Sequence, residues 1–459
     1  MPNKARVPVR RLAAKKKVCA PRRFSKTKSV CPVCLAVVDA WRTAREDGRI
    51  YLEKSCPLHG DFSALIWDGP LEDYKAWGRE NRGNAPKVSV PAIKGCPRDC
   101  GLCENHESAG CCVLLELTSR CNLTCPVCFA SSGERGRDAP MEEIEALYDM
   151  LMARGGPFNI QLSGGEPTVR DDLPQIIALG KKKGFTFFQL NTNGLRLAEE
   201  EGYAKSLAAA DLSCVFLQFD GLTETSNRIL RGRELLPEKL AAIEACKEAE
   251  LPVVLVPTVA PGVNDGELGD ILDFALSRSP HVRGVHFQPI SYFGRCALEA
   301  PAERLTIPKM LRLIESQTDG RMRAADFAGG GAESPYCSFH ASYRLGEDGA
   351  LKSLARRQDA CCCVKSSRAR DTVAWQWGSG AAPADPGKTP DGTSSLDAFL
   401  AQARASTFTV SGMLFQDAFT LDLERLRRCY ISEADPSRGM VPFCAYNLTD
   451  LGGRALYRK

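Results

Sequence analysis

The sequence predicts an α/β protein built on a parallel sheet, with a small metal-stapled module before the sheet and a cysteine-rich region after it. Three observations carry this. Short β-branched and aromatic runs recur between residues 113 and 290 at a spacing of roughly 30 residues, with helix-periodic stretches between them. The 21 cysteines gather in blocks instead of spreading evenly along the chain. Mean hydropathy is −0.21 with 44% apolar residues, a composition that can bury large cores. No apolar run approaches the ~18 residues of a membrane span. A disulfide scaffold is usually short and cysteine-dense throughout, unlike this chain. The first residues carry charge where a signal peptide would be apolar, so a cytoplasmic location is expected, with thiols that hold metal.

Residues 1–28 contain eleven Lys and Arg and no acid, leaving 49 basic and 56 acidic residues for the rest; the formal +4 belongs to this segment. It reads as a basic, solvated, disordered tail, and without interleaved aromatics no nucleic-acid partner is expected. The module at 29–90 opens with Cys31-Pro-Val-Cys34, answered by Cys56-Pro-Leu-His59. Two such pairs are knuckle spacing for one tetrahedral ion. Cys31, Cys34, Cys56 and His59 are therefore expected to hold zinc or rubredoxin-like iron. The segment 91–112 carries Cys96-x3-Cys100-x2-Cys103, followed by Cys111-Cys112. A fourth thiolate, from Cys111 or Cys112, with Cys112 taken as the candidate, would close an auxiliary iron–sulfur cluster there.

Strands are expected at 113–118, 158–162, 185–191, 214–220, 252–259 and 285–290, and helices at about 140–154, 171–183, 196–209, 236–250 and 266–278. Alternation of this kind makes βα units and a parallel sheet, open or rolled into a barrel. Cys214 and Cys246 fall within a strand and a helix and read as core; His281, His286 and His340 have no partner pattern and read as structural. The region 321–459 contains Cys337, Cys361–Cys363, Cys429 and Cys444 around a Pro-, Gly- and Asp-rich linker at 381–395. Cys337, Cys362 and Cys444 are ligand candidates for a second auxiliary cluster. Adjacent residues of extended chain point to opposite faces, so the whole triplet cannot serve one cluster.

Cys121-x3-Cys125-x2-Cys128 follows the first of the six strands directly. Three thiolates in one loop can hold three irons of a cubane and leave the fourth open to chelate a small molecule. The second strand ends in Ser163-Gly164-Gly165-Glu166-Pro167, a glycine-rich turn with one carboxylate at the carboxyl edge of the sheet, where ligands of βα folds bind. Together these residues resemble the radical S-adenosylmethionine (SAM) superfamily. Cys96, Cys100 and Cys103 repeat the same spacing, but the later motif follows a strand and is followed by Phe129, as the superfamily pattern has it.

The resemblance implies a partial (βα)6 barrel over 113–320 and a four-iron four-sulfur cluster at Cys121, Cys125 and Cys128. It implies an enzyme: a one-electron donor of ferredoxin or flavodoxin type reduces the cluster, SAM is cleaved to methionine and a 5′-deoxyadenosyl radical, and the radical abstracts hydrogen from an unactivated C–H. It further implies SAM contacts at Phe129, Gly164, Gly165 and Glu166, the last orienting the amino group. Asn193, Gln218, Asp220, Thr258 and Asn264 are implied as polar contacts, and Arg231 as partner of the methionyl carboxylate.

The order of motifs across about 25–295 resembles the branch containing archaeal tetraether lipid synthase, whose members couple hydrocarbon termini of lipids and carry auxiliary clusters. Cys361–Cys363 and the segment 411–446 depart from that branch and leave the substrate open between a lipid chain and, for a maturase, a peptide or cofactor. A non-enzymatic iron–sulfur electron carrier is the third reading, and the chain is not expected to be transmembrane, with peripheral membrane contact left open.

Overall fold

The computed structural model describes residues 22–78, 85–88, 90–300, 302–346, 348–354, 366–378, 403 and 405–458. The expected linker at 381–395 and Cys361–Cys363 lie outside them. At the N-terminus β1 (Arg22–Val30), β2 (Val37–Ala44), β3 (Ile50–Cys56) and β4 (Gly60–Trp67) form an antiparallel meander, followed by helix α1 (Leu71–Trp77). The basic tail thus gives way to strand at Arg22, inside the segment expected to be disordered. The physical reason is a period-two pattern that the charge count conceals: Lys26 and Lys28 face out while Thr27 and Ser29 are buried.

The central unit begins at β5 (Cys112–Thr118), with a short strand β6 (Val127–Cys128) in the loop that follows. Then come α2 (Met141–Ala153), β7 (Asn159–Gly164), α3 (Leu173–Lys182), β8 (Phe188–Thr192), α4 (Leu195–Glu199), α5 (Tyr203–Ala209) and β9 (Cys214–Gln218). The order continues with α6 (Glu224–Arg231), α7 (Leu236–Glu248), β10 (Val253–Val256), β11 (Thr258–Val259), α8 (Leu268–Leu276) and β12 (Val282–Pro289). Strands β5, β7, β8, β9, β10 and β12 lie side by side in that order, every pair parallel. This is the (βα)6 arrangement expected. The helix expected at 196–209 is two, because Gly202 takes φ +79 and starts α5 after a run of three glutamates. Ile160, Leu162, Phe188, Leu190, Val215, Leu217 and Leu255 pack under Tyr148, Leu151, Ile176, Leu207, Ile243 and Ile271 in one core. Each such side chain contributes about 1.5–3 kcal/mol of burial.

The C-terminal region adds no separate domain among the described residues. Beyond β12 come β13 (Arg295–Cys296), α9 (Ile307–Gln317), β14 (Ser338–Leu345), β15 (Leu351–Ser353), α10 (Ser366–Trp377) and β16 (Thr407–Met413). Strand β16 pairs parallel to β12, with β14 antiparallel on its far side. After α11 (Leu423–Arg427), β17 (Ile431–Asp435) pairs parallel to β5 at the opposite edge, closed by β18 (Gly439–Pro442) and α12 (Phe443–Tyr446). The last part of the chain therefore extends both edges of the sheet. The N-terminal meander docks on it: Arg42 grips Asp422 at 2.6 Å with both side chains buried, and Lys54 Nζ donates to the carbonyls of Ala418 and Phe419 at 2.6 and 2.9 Å.

Candidate active site

The loop after β5 and the turn after β7 are held together by backbone alone. Gly165 N–H donates to the Thr118 carbonyl at 2.7 Å and Glu166 N–H to the Arg120 carbonyl at 2.8 Å. A Cβ on Gly164 would stand 2.2 Å from the Thr118 oxygen, and one on Gly165 2.0 Å from the Arg120 oxygen. Only a residue without a side chain permits that approach, and Gly164 also takes φ +127. The cysteine loop is fixed from the other side by β13. Its Arg295 donates to the Cys125 carbonyl and the Ser132 carbonyl, both at 2.7 Å.

A cavity of about 240 Å³ opens at this edge. Cys121, Cys125, Cys128, Phe129, Gly164, Gly165, Glu166, Asn193, Gln218, Arg231 and Thr258 all line it, so the fold gathers eleven of the residues singled out in the sequence. Glu166 is buried: Oε1 accepts from Thr168 N–H, Thr168 Oγ1 and Thr192 Oγ1, and Oε2 accepts from Asn193 N–H at 2.7 Å. Asn193 Nδ2 in turn donates to Asn122 at 2.7 Å, tying the third strand's tip to the cysteine loop.

Two expected contact residues stand behind this surface. Asp220 does not line the cavity; its carboxylate takes the Arg231 fork at 2.6 and 2.7 Å and accepts Thr258 N–H at 3.0 Å. Asn264 is buried, donating to the carbonyls of Asp220 and Thr258. Arg231 likewise spends its donors internally, adding the Val127 carbonyl at 3.0 Å and Thr258 Oγ1 at 2.8 Å. Its charge is matched by Asp220 and is not left open for a ligand carboxylate. The reason is chemical: a guanidinium this deeply buried needs a partner of its own. Sequence reading missed Arg295 and Lys239. Lys239 is buried on α7, donates to the Asn193 carbonyl, and burial pulls its ammonium down to about 8.

The donor set suits an iron–sulfur cluster. Three thiols line one wall, and burial pushes Cys121 up to about 12 and raises Cys125, so as free groups they stay protonated. A metal centre would displace those protons and compensate the thiolates. In the N-terminal meander the ligand atoms of Cys31, Cys34, Cys56 and His59 all lie within 4.8 Å of one another, at the tips of two hairpins, and are the one such group among the described residues. This is a tetrahedral pocket for a single ion.

The remaining cysteines divide. Cys96, Cys100 and Cys103 share a small cavity with His106, Leu426, Arg427 and Pro442. Cys112, expected as their fourth ligand, is not among its lining residues; it starts β5 with its thiol 3.7 Å from that of Cys111. The parallel register of β5 with β17 and β7 draws it into the sheet. Cys337 accepts from Arg425 at 3.3 Å, Cys444 from Gln416 N–H at 3.2 Å, and Cys429 donates to the Ile431 carbonyl. Cys362 lies outside the described residues, and Cys214 and Cys246 are buried core.

Residues 115–275 match the model of the radical SAM superfamily, and residues 24–68 match the HMPTM N-terminal zinc ribbon domain. The chain is 35% identical over 473 residues to 7,8-dihydro-6-hydroxymethylpterin dimethyltransferase of Methanocaldococcus jannaschii, covering 92% of this chain and 93% of that protein. It is 31% identical over 207 residues to GTP 3′,8-cyclase of Paenarthrobacter nicotinovorans, covering 44% of this chain and 58% of the relative. Among solved structures, Streptococcus suis SuiB bound to its precursor peptide SuiA superposes with a TM-score of 0.40 at 17% identity, covering 47% of each chain.

Proposed function

The chain belongs to the radical SAM superfamily, in the family of the Methanocaldococcus jannaschii dimethyltransferase and with the same type of zinc ribbon; from this premise we propose that it functionalises an unactivated carbon on the hydrocarbon part of its substrate, a lipid chain being the substrate class. It is an enzyme that uses a four-iron four-sulfur cluster and SAM, it needs an electron donor, and it carries a metal in the N-terminal module. The cluster, when bound, supplies the electron that cleaves SAM to methionine and a 5′-deoxyadenosyl radical. Cys121, Cys125 and Cys128 would hold it. Among the described residues no helix is long and apolar enough to cross a membrane.

One observation carries the substrate reading. The cavity wall beyond the cysteine loop is hydrocarbon: Phe129, Phe293 and Phe415 surround Phe443 at ring separations of 5.6, 6.3 and 4.3 Å, and Leu114 and Ile431 complete the surface. Such a wall desolvates an alkyl chain and offers a reactive intermediate few polar groups to attack. The lining also carries Gln161, Gln189, Asn191, Gln218 and Gln288, amides suited to the polar parts of SAM. Oε2 of Glu166 accepts one hydrogen bond and keeps capacity for an ammonium group, while Asn193 after β8 and Thr258 after β10 line the same cavity. A ferredoxin or flavodoxin suits the donor role.

A second reading, methylation of a pterin, is favoured by the full-length relative's name and by those same amides, which could pair with a heterocycle edge. The two are separated by one experiment. Anaerobically reconstituted full chain, SAM and reduced flavodoxin are incubated with a perdeuterated isoprenoid or acyl lipid in micelles, or with 7,8-dihydro-6-hydroxymethylpterin. Deuterium in 5′-deoxyadenosine together with a coupled or altered lipid is expected. Methylated pterin, with no deuterium transfer from lipid, would overturn the lipid reading in favour of the second.

A further inference from the structure

We propose that His106 is the fourth protein ligand of an auxiliary iron–sulfur cluster at Cys96, Cys100 and Cys103, giving a closed site of three thiolates and one imidazole. This stands apart from the substrate reading. All four residues line one small cavity beside α11 and the end of β18. The chain reaches it by tight local turns. Asp99 accepts from the Lys94 and Gly95 amides, Cys100 N–H donates to Tyr457 Oη at 3.0 Å, and His106 N–H donates to the Cys103 carbonyl at 2.9 Å. The spacing is thus Cys-x3-Cys-x2-Cys-x2-His.

The imidazole is oriented as a ligand. Its Nε2 lies 2.8 Å from the carbonyl oxygen of Cys429. A carbonyl can only accept, so Nε2 carries the hydrogen and Nδ1 keeps its lone pair. That is the arrangement in which a metal-binding histidine is held: one ring nitrogen on a backbone carbonyl, the other on the metal. His106 is 7% exposed, so solvent does not compete for Nδ1. Arg427, whose buried Nε has no acceptor among the described residues, lines the same cavity and offers positive charge to sulfur.

The spacing favours a cluster over a single ion. The ligand atoms of Cys31, Cys34, Cys56 and His59 gather within 4.8 Å, whereas no three of Cys96, Cys100, Cys103 and His106 form such a group. Ligands around one tetrahedral ion must crowd together; ligands on separate irons of a cluster need not. With four protein ligands no iron is left open, so this site cannot chelate substrate as the Cys121 loop can.

The test uses the full chain carrying Cys121→Ala, Cys125→Ala and Cys128→Ala, so that no other open-iron cluster contributes. After anaerobic reconstitution, Cys96→Ser with Cys100→Ser should remove about four irons and four sulfides. His106→Ala should retain sulfide but lose one iron in four on mild oxidation, with the electron paramagnetic resonance signal of a three-iron species. His106→Cys should hold all four irons and shift the midpoint potential to a more negative value, because imidazole ligation raises it. Circular dichroism and metal content of the N-terminal module report folding. A potential and spectrum unchanged in both His106 variants would overturn the assignment, as would cluster loss in Cys112→Ser, or one zinc without sulfide at this site.

Discussion

The Asp220–Arg231 fork decides whether Asp220 serves the protein or the ligand. Both side chains are buried, 0% and 6% exposed, with N–O distances of 2.6 and 2.7 Å. In Asp220→Asn the shape survives but the guanidinium loses its counter-charge. Removing one partner of such a pair costs about 3–5 kcal/mol, most of it the uncompensated buried charge. The Coulomb term agrees: unit charges about 4 Å apart at an effective dielectric of 20 interact by about 4 kcal/mol. Bonds from Arg231 to Val127 and Thr258 remain and place the loss toward the lower end. With a urea slope of about 3 kcal/mol/M the midpoint should fall by about 1 M, read by tryptophan fluorescence. Asp220→Leu with Arg231→Met should recover most of it, because no charge is left unpaired. In the cluster-loaded protein, SAM affinity of Asp220→Asn should change by less than tenfold. A normal midpoint with SAM affinity reduced more than tenfold would refute this reasoning and return Asp220 to direct SAM contact.

Three further outcomes are expected. Gly165→Ala should abolish SAM cleavage while the N-terminal ion is retained, because its Cβ would stand 2.0 Å from a carbonyl oxygen that cannot move without breaking the cysteine loop; 5′-deoxyadenosine yield against metal content checks it. His286, facing Ser411 Oγ at 2.8 Å, is pulled by burial from 6.5 to about 4, so it is neutral in the folded state while the unfolded chain takes up a proton below 6.5. Stability is therefore complete above pH 6.5 and lost as pH falls toward 4, by about 2 kcal/mol once the cavity's partial solvation is allowed for, and His286→Gln should flatten that slope in urea titrations at stepped pH. Cys31→Ser with Cys34→Ser should release the N-terminal ion and make β1–β4 the first site of proteolysis, whereas cleavage elsewhere first would show that the ion does not hold the module.

The six parallel strands were legible because their faces are largely buried, so they read as apolar runs such as Val113–Leu115 or Val253–Val256. Helix α6 was not: Glu224–Arg231 is polar almost throughout and is held by the Thr223 cap and by the buried end of Arg231, neither of which leaves a periodic trace. Strands β14, β16 and β17 find partners far along the chain, Ser411 beside His286 and Ile431 beside Cys112. Separation on that scale is invisible to a local pattern. In the site, spacing found the thiols and the glycine turn because their chemistry requires neighbours in sequence. Arg295 and Lys239 act singly, through carbonyls of distant loops, and no spacing marks them. Cys112 was expected as the fourth ligand because thiols dominate a cysteine-rich sequence, while the fold pairs Cys112 into the sheet and leaves it off the cavity that Cys96, Cys100 and Cys103 line.

The docking of the metal module then has a consequence for the substrate end of the site. Residues 414–422, between β16 and α11, carry Phe415 in the hydrocarbon wall and Asp422 under the module. The same short segment is braced at Asp417, which accepts from Arg304 at 2.6 Å and from Tyr292 N–H at 3.1 Å. Arg42 cannot leave Asp422 without stranding a buried charge on one side or both, so module and wall move as one piece. Four strands stapled by one ion are a small structure with little core of its own, and such modules lose their fold with the metal. Loss of the ion should therefore loosen Phe415 as well as β1–β4. The ribbon's docking on residues 418–424, the stretch that continues from Phe415, gives the N-terminal metal a part in shaping the cavity that its distance in sequence conceals.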